Sequence, residues 1–193
     1  MIIAHRQNNI TVESAVEIDI RYAANELVVS HDLRDADCLS FRDWLEKFKG
    51  DFVLINVKEE GLEDLINEEL SSYRSIEWVT LDETVPFIYK YCKKGMSNFM
   101  LRTSRYESAA SFLNWKRDLG PHCPEWVWVD TFGAKIPSIA DLKMIHDLEF
   151  KICIVSPELH GYGWSEVYAF ATESANEIHS YSAAVCTKYS SLW

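Results

Sequence analysis

The chain has 193 residues and carries 19 Lys and Arg against 30 Asp and Glu, a formal net charge of −11. This length suits a single domain over residues 1–193, and a hydrophobic fraction of 48% excludes a chain held open by its charge. The negative charge argues against sequence-independent nucleic-acid binding, so we expect an anionic substrate to need a locally basic pocket.

Eight short apolar runs are predicted to form β-strands, and helical patterns separate most of them. In chain order the strands are IIA from Ile2, AVEIDIR from Ala15, FVLINVK from Phe52, IEWVTL from Ile76, NFMLR from Asn98, EWVWVD from Glu125, FKICIVS from Phe150 and SAAVCTK from Ser182. The predicted helices are LSFRDWLEKF, LEDLINEELSSY, VPFIYKYCKK, YESAASFLNWKRDL, IADLKMIHDL and SEVYAFATESANEI. After the second strand, YAANE followed by LVVSHD predicts a hairpin arm.

The alternation of strand and helix predicts a parallel sheet, and eight such units describe a compact (β/α)8 barrel. Only QNNITVES separates the first two strands, so the first crossover is reduced, and no helix is predicted after the last strand. Because both features leave apolar surface uncovered, we expect a homodimer on that side or a fold-back of the Trp193 end. An open doubly wound sheet is the alternative architecture.

The cysteines and the absence of long apolar segments bear on where the protein works. The five cysteines are odd in number and form no CxxC pair, which indicates neither a disulfide framework nor a thiolate zinc site. No stretch approaches the roughly 20 apolar residues of a membrane span, and the N-terminal apolar run is too short for a signal peptide. We therefore expect a soluble cytoplasmic protein.

Charged residues are concentrated on the second predicted strand, where Glu17, Asp19 and Arg21 share one face because side chains alternate along a strand. Two carboxylates at this spacing are suitable hard-oxygen ligands for Mg²⁺ or Ca²⁺. Asn56 and Lys58 also share a face. Asn56 would offer a carbonyl oxygen to this cation, and Lys58 would offer an ammonium group to an anion nearby. A lattice of salt bridges among the charged residues is an equally weighted alternative.

Two histidines flank these carboxylates along the chain, His5 at the end of the first strand and His31 at the end of the arm. Imidazole suits general acid and base chemistry because it titrates near neutral pH. At the ends of later strands we assign Arg102, Glu158 and Lys188 to substrate binding. The two cations among them would line a pocket for an anion.

The ordered segments IIAHR, VEIDIR and LVVSHD, followed by NVK, resemble the signature of the glycerophosphodiester phosphodiesterase family. That family lies within the phosphatidylinositol-specific phospholipase C-like superfamily. The resemblance implies a barrel that cleaves small anionic phosphodiesters with two histidines and one divalent ion. Its later segments, such as WVWVDTF and CIVSPELHG, are similar to those of compact bacterial members of the superfamily.

The resemblance implies roles for individual residues. His5 and His31 are the acid/base pair, Glu17, Asp19 and Asn56 are metal ligands, and Arg6 and Lys58 hold the phosphate. Asn56 stands where the family has an acidic residue, and a neutral amide lowers the negative charge of the site. We therefore expect weaker metal affinity, or a contribution from Glu59 or Glu60.

Two other functions remain open on the sequence alone. One is a non-catalytic barrel that keeps the pocket and binds a phosphoester for sensing or scaffolding. The other is an isomerase or aldolase-like barrel acting on phosphorylated sugars, which rests on fold analogy.

Overall fold

A computed structural model describes residues 1–9, 12–33 and 38–193, which form ten β-strands and seven α-helices with short 3-10 turns. The strands are β1 (Ile2–Ala4), β2 (Ala15–Ala23), β3 (Glu26–Val29), β4 (Leu39–Ser40), β5 (Phe52–Val57), β6 (Glu77–Leu81), β7 (Met100–Thr103), β8 (Trp126–Val129), β9 (Lys151–Val155) and β10 (Ser182–Thr187). The helices are α1 (Phe41–Lys47), α2 (Glu63–Leu70), α3 (Val85–Cys92), α4 (Phe112–Leu119), α5 (Ile139–Asp147), α6 (Trp164–Glu173) and α7 (Ala175–Tyr181). The predicted α/β class is confirmed.

Contacts divide the chain into two compact units. The N-terminal unit is Ala4–Tyr89, and the C-terminal unit is Lys90–Trp193 together with Met1–Ile3. Residues 4–89 carry 8 Lys and Arg against 19 Asp and Glu, whereas residues 90–193 carry 11 of each class. The whole formal charge of −11 therefore belongs to the N-terminal unit, which will attract cations.

In the N-terminal unit, β2 is paired on both edges. It runs parallel to β5, which is in turn parallel to β6, and it is antiparallel to β3. The turn between β2 and β3 has φ of 51° at Ala24 and 67° at Asn25, the pair of left-handed residues that a two-residue type I′ hairpin requires. The predicted hairpin arm is confirmed.

Helix α1 fixes the loop that follows β1. Trp44 is 1% exposed and its ring stacks on Phe48 at a centroid distance of 4.7 Å. Its indole Nε1 donates a hydrogen bond to the carbonyl oxygen of Gln7 at 3.2 Å. Ser40 caps the helix by accepting a hydrogen bond from the Asp43 N–H. A core residue therefore anchors the segment next to His5 and Arg6.

The C-terminal unit is built on parallel strands in the order β10, β9, β8, β7. Trp126 and Trp128 of β8 are both buried and pack into the core. After β10 the chain forms a 3-10 turn. The ring of Trp193 packs against the ring of Phe170 in α6, with the ring centroids 6.0 Å apart. This contact favours the predicted fold-back of the Trp193 end, while the homodimer stays a prediction.

All five cysteines are free thiols. Cys92, Cys123, Cys153 and Cys186 are buried, and Cys38 is partly exposed. Among the described residues, the helices are all too short or too polar to cross a membrane.

Candidate active site

Two buried carboxylates on β2 form the centre of the candidate site. Glu17 is 1% exposed and Asp19 is fully buried. Both approach Arg6, whose backbone N–H donates to Glu17 Oε2 at 2.7 Å and whose Nε lies 3.5 Å from Asp19 Oδ2. The two side chains therefore share one face of β2, as the alternation predicted.

The backbone after β1 is turned toward these carboxylates. Arg6 has a φ of 51°, a left-handed conformation that is uncommon outside glycine and that directs its N–H at Glu17. The preceding residue, His5, places Nε2 3.6 Å from Glu17 Oε2. The segment predicted to carry the first histidine thus brings an imidazole and a guanidinium to the two acids.

Asp19 is held by several donors. Asn8 Nδ2 donates to its Oδ2 at 2.9 Å, and Lys58 Nζ lies 2.8 Å from its Oδ1. Burial alone would raise the pKa of Asp19, but the hydrogen bonds from Lys58 and Asn8 and the charges of Lys58 and Arg6 outweigh it. The pKa of Asp19 therefore lies below its ordinary value.

Glu17 behaves in the opposite way. Burial, and then the neighbouring charge of Asp19, raise its pKa to about 7, although the Arg6 N–H and the charges of Lys58 and Arg6 act against this shift. Near neutral pH this carboxyl group is therefore close to half protonated and can exchange a proton. A nearby cation would favour its ionised form.

Asn56 of β5 is paired in register with Asp19. Its Oδ1 is buried and has no hydrogen-bond partner among the residues that the structure describes. An unsatisfied buried carbonyl is unfavourable, and a bound cation would relieve it. With the carboxylates of Glu17 and Asp19 it makes a set of hard oxygen donors that fits Mg²⁺ or Ca²⁺.

Within the described part of the chain, no group of three or more His, Cys, Asp or Glu side chains is arranged to hold a metal ion. The set proposed here differs, because its third ligand would be the Asn56 amide. The alternative lattice of salt bridges is also present in part, through the pairs of Asp19 with Lys58 and Arg6. Arg21 forms an ion pair with Glu59 instead, with Nη1 of Arg21 3.3 Å from Oε1 of Glu59.

Replacing Asn56 with Asp should tighten divalent-ion binding on the order of tenfold, because the variant adds a negative ligand of nearly equal size. Calorimetric titration of Mg²⁺ and Ca²⁺ would measure the change. Asn25→Asp, in the hairpin turn, is the matched control and should leave the affinity unchanged. Equal or weaker affinity in Asn56→Asp would exclude Asn56 as a ligand and direct attention to Glu59 or Glu60.

The second predicted histidine lies outside this cluster. His31 Nδ1 is 3.0 Å from Asp32 Oδ1, and the two side chains are 39% and 84% exposed. The backbone carbonyl of His31 accepts a hydrogen bond from Arg21 Nε, but its ring makes no polar contact with Glu17 or Asp19 among the described residues. The acid/base role of His31 stays a prediction.

The predicted substrate-binding residues of the C-terminal unit lie near the carboxyl ends of three strands. Arg102 is at the end of β7 and Lys188, which is exposed, follows β10. Glu158 follows β9 and is buried, with its carboxylate accepting hydrogen bonds from the hydroxyls of Ser156 and Thr187 and from the Lys188 N–H. The observed contacts of Glu158 join the ends of β9 and β10, and substrate binding by these residues stays a prediction.

Sequence reasoning did not single out a buried carboxyl pair in the N-terminal unit. Glu63, the first residue of α2, is fully buried and interacts with Glu83, which follows β6 and whose carboxyl oxygens are also buried. Burial, and then the hydrogen bond and charge of Glu63, raise the pKa of Glu83 to about 9. Glu83 lies two residues after a predicted strand, and this position was the available signal. Nothing local in the sequence indicates that Glu63 faces inward.

Comparison of the sequence with protein-family models gave no match. Comparison with curated proteins gave none either. The case for a function therefore rests on the residues and their geometry.

Proposed function

We propose that the protein is a metal-dependent phosphodiester hydrolase of the glycerophosphodiester phosphodiesterase type, built on a compact (β/α)8 barrel. One observation carries the proposal: His5, Arg6 and Lys58 converge on the two buried carboxylates of Glu17 and Asp19. These are the residues to which the sequence resemblance gives acid/base, metal and phosphate roles. Parallel strand pairing within each unit supports the barrel.

Arg6 and Lys58 provide the positive charge for a phosphate. Their side chains are 44% and 17% exposed, and both contact the buried carboxylate of Asp19. Asp19 therefore holds two cations in a defined geometry at the surface of an otherwise acidic unit. A phosphodiester anion binding there would meet charges already in position, which lowers the cost of ordering them.

The oxygens of Glu17, Asp19 and Asn56 would hold one Mg²⁺ or Ca²⁺. When bound, such an ion supplies positive charge that stabilises the phosphoryl oxygens as the reaction proceeds. Two features of the chain support this ligand set, the buried unpartnered Oδ1 of Asn56 and the raised pKa of Glu17. The negative charge of the N-terminal unit also favours cation binding.

His5 is the proposed proton-transfer group at this cluster. Glu17 lies 3.6 Å from its Nε2 and can stabilise the imidazolium when it forms. His5 would take a proton from the attacking oxygen or give one to the leaving alkoxide, and the resemblance gives the complementary step to His31. The attacking oxygen belongs to water or to a neighbouring hydroxyl of the substrate, and the second case yields a cyclic phosphate first.

Hydrolysis of bis-p-nitrophenyl phosphate and of glycerophosphodiesters, each with Mg²⁺, Ca²⁺ or Mn²⁺, tests the proposal. We expect turnover that EDTA abolishes and that His5→Ala lowers by roughly 10²- to 10⁴-fold, the usual contribution of general acid–base catalysis. His179→Ala, at an exposed position of α7, is the matched control and should keep full activity.

Absence of turnover with every ion would contradict a hydrolase. Tight binding of a phosphorylated ligand without turnover would instead identify the non-catalytic binding barrel. The neutral Asn56 in place of an acidic ligand is the feature that favours that second function.

A further inference from the structure

The N-terminal unit contains a pair of carboxyl groups that the proposed reaction does not use. Glu63, the first residue of α2, is fully buried. Its carboxyl group interacts with that of Glu83, which lies two residues after β6 and is half-buried. The pair therefore connects the start of a helix to the end of a strand in the same unit.

Three of the four carboxyl oxygens in this pair are buried without a hydrogen-bond partner among the residues that the structure describes. They are Glu63 Oε2 and both oxygens of Glu83. The remaining oxygen, Glu63 Oε1, accepts a hydrogen bond from the Gly61 N–H at 3.4 Å. Ionised carboxylates only accept hydrogen bonds, so neither group can satisfy the other, and unsatisfied buried acceptors are unfavourable. The pair therefore needs a proton or a cation.

A shared proton satisfies this pair only in part. Burial, and then the interaction with Glu63, raise the pKa of Glu83 to about 9, so without a cation the pair keeps a proton at neutral pH. One proton joins two oxygens, which leaves at least one of the three buried oxygens without a partner. A metal ion has several coordination positions, and it can contact all three.

The chemistry of the pair favours Ca²⁺. This ion accepts carboxylate oxygens singly or in pairs with irregular geometry, whereas Mg²⁺ requires a near-ideal octahedron and gives up its water reluctantly. Asp82 and Thr84, on either side of Glu83, are exposed, so an ion and its remaining water can reach the pair from solvent. The charge of Glu60 also acts on Glu83, and the whole net negative charge of the chain belongs to this unit.

We propose that Glu63 and Glu83 bind a divalent cation, with Ca²⁺ preferred over Mg²⁺, and that the ion links the start of α2 to the end of β6. Binding replaces the shared proton, which is released to solvent. The described residues bring no third His, Cys, Asp or Glu side chain into a ligand group here, so we expect an affinity in the millimolar range. None of the residues that carry the sequence resemblance belongs to this pair, so the inference stands whether or not the protein hydrolyses phosphodiesters.

The test is a Ca²⁺ titration of the full chain, followed by nuclear magnetic resonance of glutamate side chains labelled with ¹³C. The carboxyl resonances of Glu63 and Glu83 should shift together and saturate with one dissociation constant. Mg²⁺ should need an at least tenfold higher concentration for the same shift. The carboxyl resonance of Glu17 reports separately on the cation site of the proposed function, so failure of either site can be distinguished from failure of the other.

Glu83→Gln removes one carboxylate at nearly unchanged size, and it should weaken the Ca²⁺ response of Glu63 at least tenfold without changing that of Glu17. Glu68→Gln, at an exposed position of α2, removes the same charge and should keep the wild-type response. Glu63 and Glu83 resonances that Ca²⁺ leaves unmoved, or equal responses in the two variants, would overturn the proposal. Equal affinity for Mg²⁺ and Ca²⁺ would contradict the preference. If Glu83→Gln does not fold, the wild-type titration decides.

Discussion

Replacing Glu83 with Gln should raise the free energy of unfolding by about 3 kcal/mol at pH 7. In the folded protein, burial and Glu63 raise the pKa of Glu83 from 4.5 to about 9, and the charge of Glu60 acts in the same direction. A raised folded-state pKa favours folding below pH 4.5, and that contribution is lost as the pH increases toward 9. The amide introduced by Glu83→Gln has no proton to lose and can donate a hydrogen bond to the Glu63 carboxylate. The stability of the variant should therefore not decrease in this way as the pH rises.

Urea unfolding at pH 5, 7 and 9 would measure the effect on the free energy of unfolding. The difference in the free energy of unfolding between Glu83→Gln and the wild-type protein should grow as the pH rises. Glu68→Gln, on the exposed side of α2, is the matched control and should follow the wild-type protein. Equal pH dependence in Glu83→Gln and the wild-type protein would show that the pair does not hold a proton at neutral pH.

Replacing Lys58 with Met should lower the free energy of unfolding by about 3 kcal/mol, because Asp19 would stay buried without its nearest cation. Lys58 Nζ lies 2.8 Å from a carboxylate that is fully buried. Its contribution is greatest at neutral pH and is lost as acid protonates Asp19, because the pKa of Asp19 is lowered in the folded state.

The double variant Lys58→Met with Asp19→Asn separates charge from packing. It should recover part of the lost stability, since the uncompensated buried charge is removed. Lys49→Met, at an exposed position of the same unit, is the control and should change the free energy of unfolding by less than about 0.5 kcal/mol. A Lys58→Met variant as stable as this control would mean that Arg6 and Asn8 satisfy Asp19 alone.

The part of the site that could be predicted from the sequence is the part that strand geometry determines. The two-residue period of a strand puts Glu17 and Asp19 on one face, and parallel pairing of β2 with β5 sets Asn56 beside Asp19. The contributions of loops were not predictable in the same way. The left-handed turn at Arg6 and the side chain of Asn8 depend on packing that no local pattern encodes.

Helix boundaries show a similar limit. The sequence predicted one helix through SEVYAFATESANEI, but the chain forms α6 and α7 with a break at Ser174, whose ψ is 9°. The predicted helix YESAASFLNWKRDL begins later, at Phe112, after a short 3-10 turn. Hydrophobic periodicity continues across both positions, so only the tertiary fold determines where each helix starts and ends.

The distribution of thiols makes the two units chemically distinguishable. Cys38, in the N-terminal unit, is partly exposed, and all four buried thiols belong to the C-terminal unit. Burial raises the pKa of Cys92 to about 12, so its reactive thiolate form is scarce at neutral pH as long as it remains enclosed. An alkylating reagent applied to the native protein would thus mark Cys38 quickly, and slow modification of the other thiols would measure how often the C-terminal unit opens.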